Sequence, residues 1–196
     1  AHAEERVEDL ALRLNAFSPE ARTFILRQIE GHQRLRAKVP SWCAVPRLHF
    51  PPRLSLEQCS GEVTARYKAT LVEHWVEKLD HPVLVDLTGG MGVDFSFMAA
   101  HCAEAVYVEL NAELVELAAH NFPLIGLTQA RTVCSEASTY LDTLSFADIL
   151  FLDPARRDEI GRKVVRIEAC EPDVCALSES LRSRCRHLLI KLSPML

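Results

Sequence analysis

The chain has 196 residues, 48% hydrophobic and 25% charged, with a formal net charge of −5. That balance supports a globular core and excludes a global polyanion-binding charge. Seven cysteines occur without any Cys-x-x-Cys pair, which argues against structural zinc or another metal and for reduced, mostly buried thiols. No apolar run approaches the ~20 residues of a membrane span and no targeting segment is seen, so the expected location is cytoplasmic, with no membrane partner.

In chain order, Val7, Leu10, Ala11 and Leu14 recur at helical spacing. Ser18-Pro19-Glu20 is a helix start, because Ser can cap and Pro is tolerated at the first helical position. Ala21, Phe24, Ile25, Ile29, His32 and Leu35 then make one apolar face, to about Lys38. Between Arg22 and Arg53 there are seven basic residues against one acid, Glu30. Such asymmetry marks either a nucleic-acid face or a solvated helix face. Pro40, Pro46, Pro51 and Pro52 predict an extended connector over 40–56. A helix resumes near Gly61 with Val63, Tyr67, Leu71, Val72, Trp75 and Leu79 on one face.

After Pro82 the pattern changes to short apolar runs alternating with helices. Val83-Leu84-Val85 ends at Asp86, and Ala105-Val106-Tyr107-Val108 ends at Glu109, followed by a helix from Ala112 to His120. Further strands are expected at 130–134, Ile149–Leu152 and Leu188–Ile190, with 168–183 helical. This predicts an α/β doubly wound, mostly parallel sheet whose ligand lies beyond the carboxyl ends of the strands. The expected organisation is a helical N-terminal domain with its connector over 1–56 and the sheet domain over 57–196. Leu188-Leu189-Ile190 is expected to be an exposed apolar edge.

Asp86-Leu-Thr88-Gly89-Gly90-Met-Gly92-Val-Asp94 joins the first strand to its helix. Glycines there permit a tight turn and close approach of a ligand. A dinucleotide loop would read Gly-x-Gly-x-x-Gly, but Phe95 stands at the third position. The carboxylate of Asp86 also suits a cationic or hydrogen-bond-donating ligand better than a pyrophosphate. Glu109 follows 23 positions after Asp86 and can accept from both hydroxyls of a ribose, as also in NAD enzymes. Glu136, after the third strand, is a candidate for an adenine amino group, or else a solvated acid at a helix start.

The run Asp86 to Asp94 resembles the glycine motif of class I S-adenosylmethionine (SAM)-dependent methyltransferases, in the style of RNA cap guanine-N2 methyltransferases. Phe151-Leu152-Asp153-Pro154-Ala155-Arg156-Arg157 resembles their fourth-strand motif. Glu57-Gln58-Cys59-Ser60 and Thr64-Ala65-Arg66-Tyr67-Lys68 resemble a segment preceding the core in bacterial methyltransferases with a THUMP-like region. The resemblance covers about residues 55–195 and implies SAM as cofactor and RNA as partner. It implies that Asp86, Thr88, Gly89, Gly90, Gly92, Asp94, Glu109 and Glu136 hold the cofactor. Tyr67 and Lys68 are candidates to close the pocket from the preceding helix. Related cores continue through two more strands, so the chain is expected to lack part of that core.

Methylating an exocyclic amine requires localising a delocalised lone pair. Asp153 and the carbonyl of Pro154, at the fourth strand's end, would accept the two amine hydrogens. Where the amine-methylating motif has proline and an aromatic residue, this chain has Ala155 and Arg156. A guanidinium can stack on a base or bind phosphate, which makes Arg156 and Arg157 the substrate-binding candidates. The departure leaves open a SAM-binding RNA-interaction module with little catalysis. Cys170 and Cys175 are more consistent with core thiols than with a nucleophile.

Overall fold

The structure, a computed structural model, describes residues 16–155 and 167–192 together with residues 10, 13 and 14. Helix α1 spans Pro19–Leu35, with the Ser18 side chain accepting from the Ala21 amide at 3.3 Å. Two short helices follow, α2 (Pro40–Cys43) and α3 (Arg53–Gln58). They replace part of the extended connector expected over 40–56. Pro40 opens α2 and Pro52 caps α3, positions where proline's missing amide and fixed φ suit a helix. The other helix expected in the first residues lies mostly outside the described residues.

Helix α4 spans Glu62–Val76. Its buried face is Ala65, Lys68, Ala69, Val72 and Val76, whereas Val63 is 84% and Tyr67 64% exposed. The face expected from the sequence is therefore rotated in the first half of the helix. Small residues let α4 approach the next helix closely, and a buried ion pair of Lys68, described below, favours this rotation. Trp75 and Leu79 pack against the core as expected.

The sheet follows: β1 (Val83–Asp86), α5 (Val93–Ala99), β2 (Glu104–Glu109), α6 (Ala112–Leu124), β3 (Ala130–Cys134), α7 (Ala137–Thr143), β4 (Ala147–Leu152), α8 (Ser178–Ser183) and β5 (Cys185–Ile190). All five strands are parallel, in the order β3-β2-β1-β4-β5. The central strands are buried on both faces, as parallel strands covered by helices must be. Alternation sorts them: Leu84, Tyr107, Ile149 and Phe151 face α4, α5 and α6, while Val85, Val106, Leu150 and Leu152 face α7 and α8. The N-terminal segment packs on the same body, since Leu35, Trp42, Leu48, Phe50 and Leu56 cluster with Met91 and Val93.

Three further expectations are corrected. The helix expected over 168–183 is a 3₁₀ turn at Ile167–Ala169, then bends and turns, then α8; Asp173 ties that stretch into a turn by accepting from the amides of Cys175 and Ala176, a local competitor of helix. The thiols are not mostly buried: Cys102 and Cys170 are, but Cys134 and Cys175 are exposed, one ending the edge strand β3 and the other in that turn. β5 is an edge strand as expected, but Leu188, Leu189 and Ile190 are half-buried rather than exposed, because Leu188 and Ile190 pack on the α7–α8 side and Leu189 on the α4 side. No described helix is long and apolar enough to cross a membrane.

Candidate functional site

The strand order reverses between β1 and β4, which leaves a crevice at their carboxyl ends. Every strand-end acid singled out in the sequence except Glu136 converges there. Beyond the paired residues Asp86 and Phe151, the Leu87 amide still donates to Phe151 O at 3.0 Å. Register thus carries Asp86 and Asp153 to one rim.

The loop after β1 is built on close approach. A Cβ on Gly89 would lie 2.1 Å from the Tyr107 ring, so only glycine lets the loop rest on β2. Gly90 and Gly92 have φ of 55° and 84°, in the left-handed region that side chains disfavour. The Gly89 amide donates to Val108 O at 2.9 Å, and the Tyr107 hydroxyl donates to Gly90 O. Glu109 then grips the loop: its carboxylate accepts from the Gly90 amide at 2.8 Å and from the Asn111 amide at 2.9 Å.

Asp86 is 1% exposed, and its carboxylate accepts from the Thr88 amide at 2.9 Å. Burial pushes its pKa well above the usual carboxylate range, and the charges of Asp94, Asp153 and Glu109 add to the rise. Thr88 relays the loop to β4, its hydroxyl accepting from the Asp153 amide at 2.6 Å. Asp153 follows β4 directly and the buried Pro154 follows it. Burial raises the Asp153 pKa against the opposing pull of a lysine, Lys191, whose ammonium contacts Asp153 Oδ2.

Asp94 heads α5 and gathers three partners. Ser60 Oγ donates to its Oδ2 at 2.7 Å, Lys68 Nζ lies 2.9 Å from Oδ1, and Lys191 Nζ lies 3.6 Å from Oδ2. Lys68 therefore belongs to the crevice network. Tyr67, its neighbour on α4, projects from the exposed face and is not brought into that network. Glu136 occupies the cap position of α7, exposed, and accepts from Ser138 Oγ at 2.8 Å, apart from the other acids. Arg156 and Arg157 lie outside the described residues. Among the described residues, no group of three or more His, Cys, Asp and Glu side chains could hold a metal ion.

Ser60 and Lys191 carry no role in the sequence reading. The signal for Lys191 was its position: it follows β5 as Glu109 follows the body of β2 and Asp153 follows β4. Ser60 had no local signal, since its partner Asp94 is 34 positions away. A groove of about 480 Å³ also lies elsewhere, lined by residues such as Gln28, His32, Cys43 and Phe50. It gathers none of the strand-end groups, and the crevice remains the site that the fold and its polar groups single out.

No protein-family model matches the chain. It is 35% identical to a candidate methyltransferase from Porphyromonas gingivalis W83, with a TM-score of 0.82, over 99% of this chain and 47% of that one. It is 32% identical over 94 residues to an uncharacterised RNA methyltransferase of Thermosynechococcus vestitus, covering 47% of this chain and 21% of the relative. The chain thus spans about half of the first protein and about a fifth of the second. A candidate RNA methyltransferase from Pyrococcus horikoshii shares the fold at a TM-score of 0.53 and 18% identity, over 78% of this chain and 74% of that one. A five-stranded parallel sheet flanked by helices, with a glycine loop after its first strand, gives this chain the Rossmann-like fold of the methyltransferases to which it is similar.

Proposed function

We propose that the chain is the cofactor-binding and catalytic part of a SAM-dependent methyltransferase acting on RNA, with an exocyclic base amine such as guanine N2 as nucleophile. The observation that carries this reading is the convergence of the glycine loop, Glu109 and Asp153 on one crevice in a methyltransferase-like fold. The crevice fits SAM by its chemistry: its rim gathers carboxylates, the lysines described there are paired with Asp94 and Asp153, and Phe95, where a dinucleotide loop wants its third glycine, is wholly buried. Glu109 is placed to exchange its Gly90 and Asn111 amides for ribose hydroxyls. Gly89, Gly90 and Gly92 keep the backbone open to close approach. Asp86 and Thr88 shape the loop, Asp86 Oδ1 accepting from the Thr88 amide and the Thr88 hydroxyl from the Asp153 amide, and both are kept as cofactor contacts. Asp94 and Lys68 tie α4 to the loop. The division at 56/57 is proposed as a boundary of function, with the sheet part holding the chemistry. Glu136 and Tyr67 are kept as weaker cofactor contacts, and Arg156 and Arg157 as contacts to base or phosphate.

When bound, SAM supplies an electrophilic methyl: the nucleophile's lone pair forms a bond to carbon as the carbon–sulfur pair leaves on sulfur. The chain's contribution is to aim and localise that lone pair. Asp153 and the Pro154 carbonyl accept the two amine hydrogens, and Asp153 then takes the proton that becomes acidic and passes it to water. Such acceptance strengthens as positive charge develops, so it acts on rate more than on affinity.

Calorimetric titration tests the cofactor assignment: SAM or its demethylated product should bind and NAD should not. Glu109→Ala should weaken SAM at least about tenfold, the usual loss for a charged hydrogen bond. Asp153→Ala should keep SAM affinity within a few-fold while cutting transfer to a mixed RNA pool by about 10²-fold or more, with Asp153→Asn retaining more activity than Ala. Transfer at the wild-type rate by Asp153→Ala would reject the catalytic assignment in favour of a SAM-binding RNA module.

A further inference from the structure

Lys191 is fixed beside Asp153 by the sheet itself. Leu152 pairs with Ile190, and the Lys191 amide donates to Leu152 O at 2.8 Å. The first residues beyond β4 and β5 are thereby neighbours, whatever their side chains. The Lys191 ammonium contacts Asp153 Oδ2 and stands 3.6 Å from Asp94 Oδ2. In space the order is Lys68, Asp94, Lys191, Asp153, a row of alternating charge. Its Asp94 end is nearly closed to solvent, with the Asp94 side chain 10% exposed, whereas the Asp153 side chain is 37% exposed. Oδ1 of Asp153 is not the oxygen that Lys191 engages.

We propose that Lys191 is a positioning residue: it holds Asp153 as an aimed, ionised acceptor in the free protein, and its ammonium moves to Asp94 when a substrate amine takes the Asp153 carboxylate. The inference rests on the methyl-transfer reading with an amine nucleophile. A protonated Asp153 would donate a hydrogen bond where an acceptor is required. Burial pushes Asp153 toward that state and Lys191 opposes it. Among the described residues, the other charged groups facing Asp153 are Asp94 on α5 and Lys68 on α4, which oppose one another, and Asp86 at the end of β1, which senses the Asp153 charge across the rim. A lysine suits the second duty. Its flexible stem and three rotatable donors let it pivot between carboxylates, where a guanidinium would pair rigidly. Asp94 Oδ2 already lies close to the ammonium, so the movement needed is small and leaves no charge stranded.

The test compares wild type with Lys191→Met, Lys191→Gln and Lys191→Arg. The Asp153 carboxyl is followed by ¹³C NMR against pH, alongside SAM affinity, kcat, KM and the pH–rate profile. Losing an opposite charge at contact should move the Asp153 titration up by about one pH unit or more. The acid limb of kcat should move up with it in the Met and Gln variants. SAM affinity should stay within a few-fold, and kcat near neutral pH should fall about tenfold or more. Arg should restore the titration but not the full kcat, since it keeps the charge and loses the pivot. An Asp153 titration unchanged in both neutral variants overturns the proposal. So does a shifted titration with an unshifted acid limb. Absence of SAM binding by wild type would instead reject the methyl-transfer reading, and the NMR titration would still decide whether Lys191 holds Asp153 ionised.

Discussion

A carboxyl group as buried as Asp86 carries a cost that depends on pH. Its folded pKa lies well above its unfolded one, chiefly through burial, so the folded chain holds the proton more tightly. Stability from this group is complete below the unfolded carboxylate range and is lost as pH rises through the folded pKa. Asn at this position has no such loss, and its side-chain oxygen can still accept from the Thr88 amide. Asp86→Asn should therefore match or exceed wild-type thermal stability at neutral and alkaline pH, with the gap closing as pH falls toward the unfolded pKa. Melting curves between pH 4 and pH 9 check this. A gap that widened on acidification would reject the assignment. The neighbouring Gly89 has no comparable freedom to vary, because any side chain there meets the Tyr107 ring.

At the scale of elements, helix α6 does more than cover the sheet. Asn121 is fully buried; its Oδ1 accepts from the His49 amide at 2.9 Å and its Nδ2 donates to His49 O at 2.8 Å. One side chain thereby pairs both backbone groups of His49, in the connector between α2 and α3, as a strand neighbour would. His49 also stacks on His120 of the same helix, with ring centroids 3.9 Å apart. Asn121→Ala should leave two backbone groups of the connector without partners and cost about 1–3 kcal/mol for each that stays dry. Asn121→Asp keeps the acceptor and loses the donor, and sets a charge against the His49 carbonyl, so it should be no better than Ala. Denaturant unfolding measures both. Equal stability of wild type and Asn121→Ala would mean that the connector is held by its other contacts, such as the Phe50 amide on Gln28 Oε1 and the Phe50 ring on Gly31. This clamp was invisible in the sequence because its partners are 72 positions apart.

For the molecule as a whole, the basic segment is less bare than its sequence implied. Arg27 pairs with Glu113, Arg34 with Glu30 and Glu57, and Arg53 with Glu57. Lys38 donates to the carbonyls of Leu56 and Glu57 at 2.9 Å each. Folding thus brings acids from α3 and α6 to a stretch that holds a single acid of its own. Exposed pairs of this kind contribute about 0–1 kcal/mol, so phosphates can displace the carboxylates at little cost. The proposal that this face meets RNA predicts a change in salt dependence. Reversing the exposed Arg34 and Arg36 to Glu should lower RNA affinity broadly across sequences and reduce the slope of log K against log salt by up to about two. An unchanged slope in filter binding would leave the segment as a solvated face.

The sequence by itself determined the sheet and its rim. The central strands β1, β2 and β4 are apolar runs bounded by turn residues, and the residue that ends or follows each must lie at the carboxyl edge of a parallel sheet. That alone brings Asp86, Glu109 and Asp153 together, and the glycines between Asp86 and Asp94 require a tight loop whatever packs upon it. Local pattern decides such features because strand alternation and glycine's backbone freedom act within a few residues. The tertiary structure alone decided which way α4 turns, since Tyr67 and Lys68 compete for the same buried face and a partner on α5 selects the lysine. It decided that Lys191 stands beside Asp153, which follows from the register of two strands separated by more than thirty positions. It also decided that Ser60 meets Asp94 and that Asn121 closes the His49 backbone. Each of these is a contact between residues remote in sequence, whose energy depends on a partner that neither residue's neighbours encode.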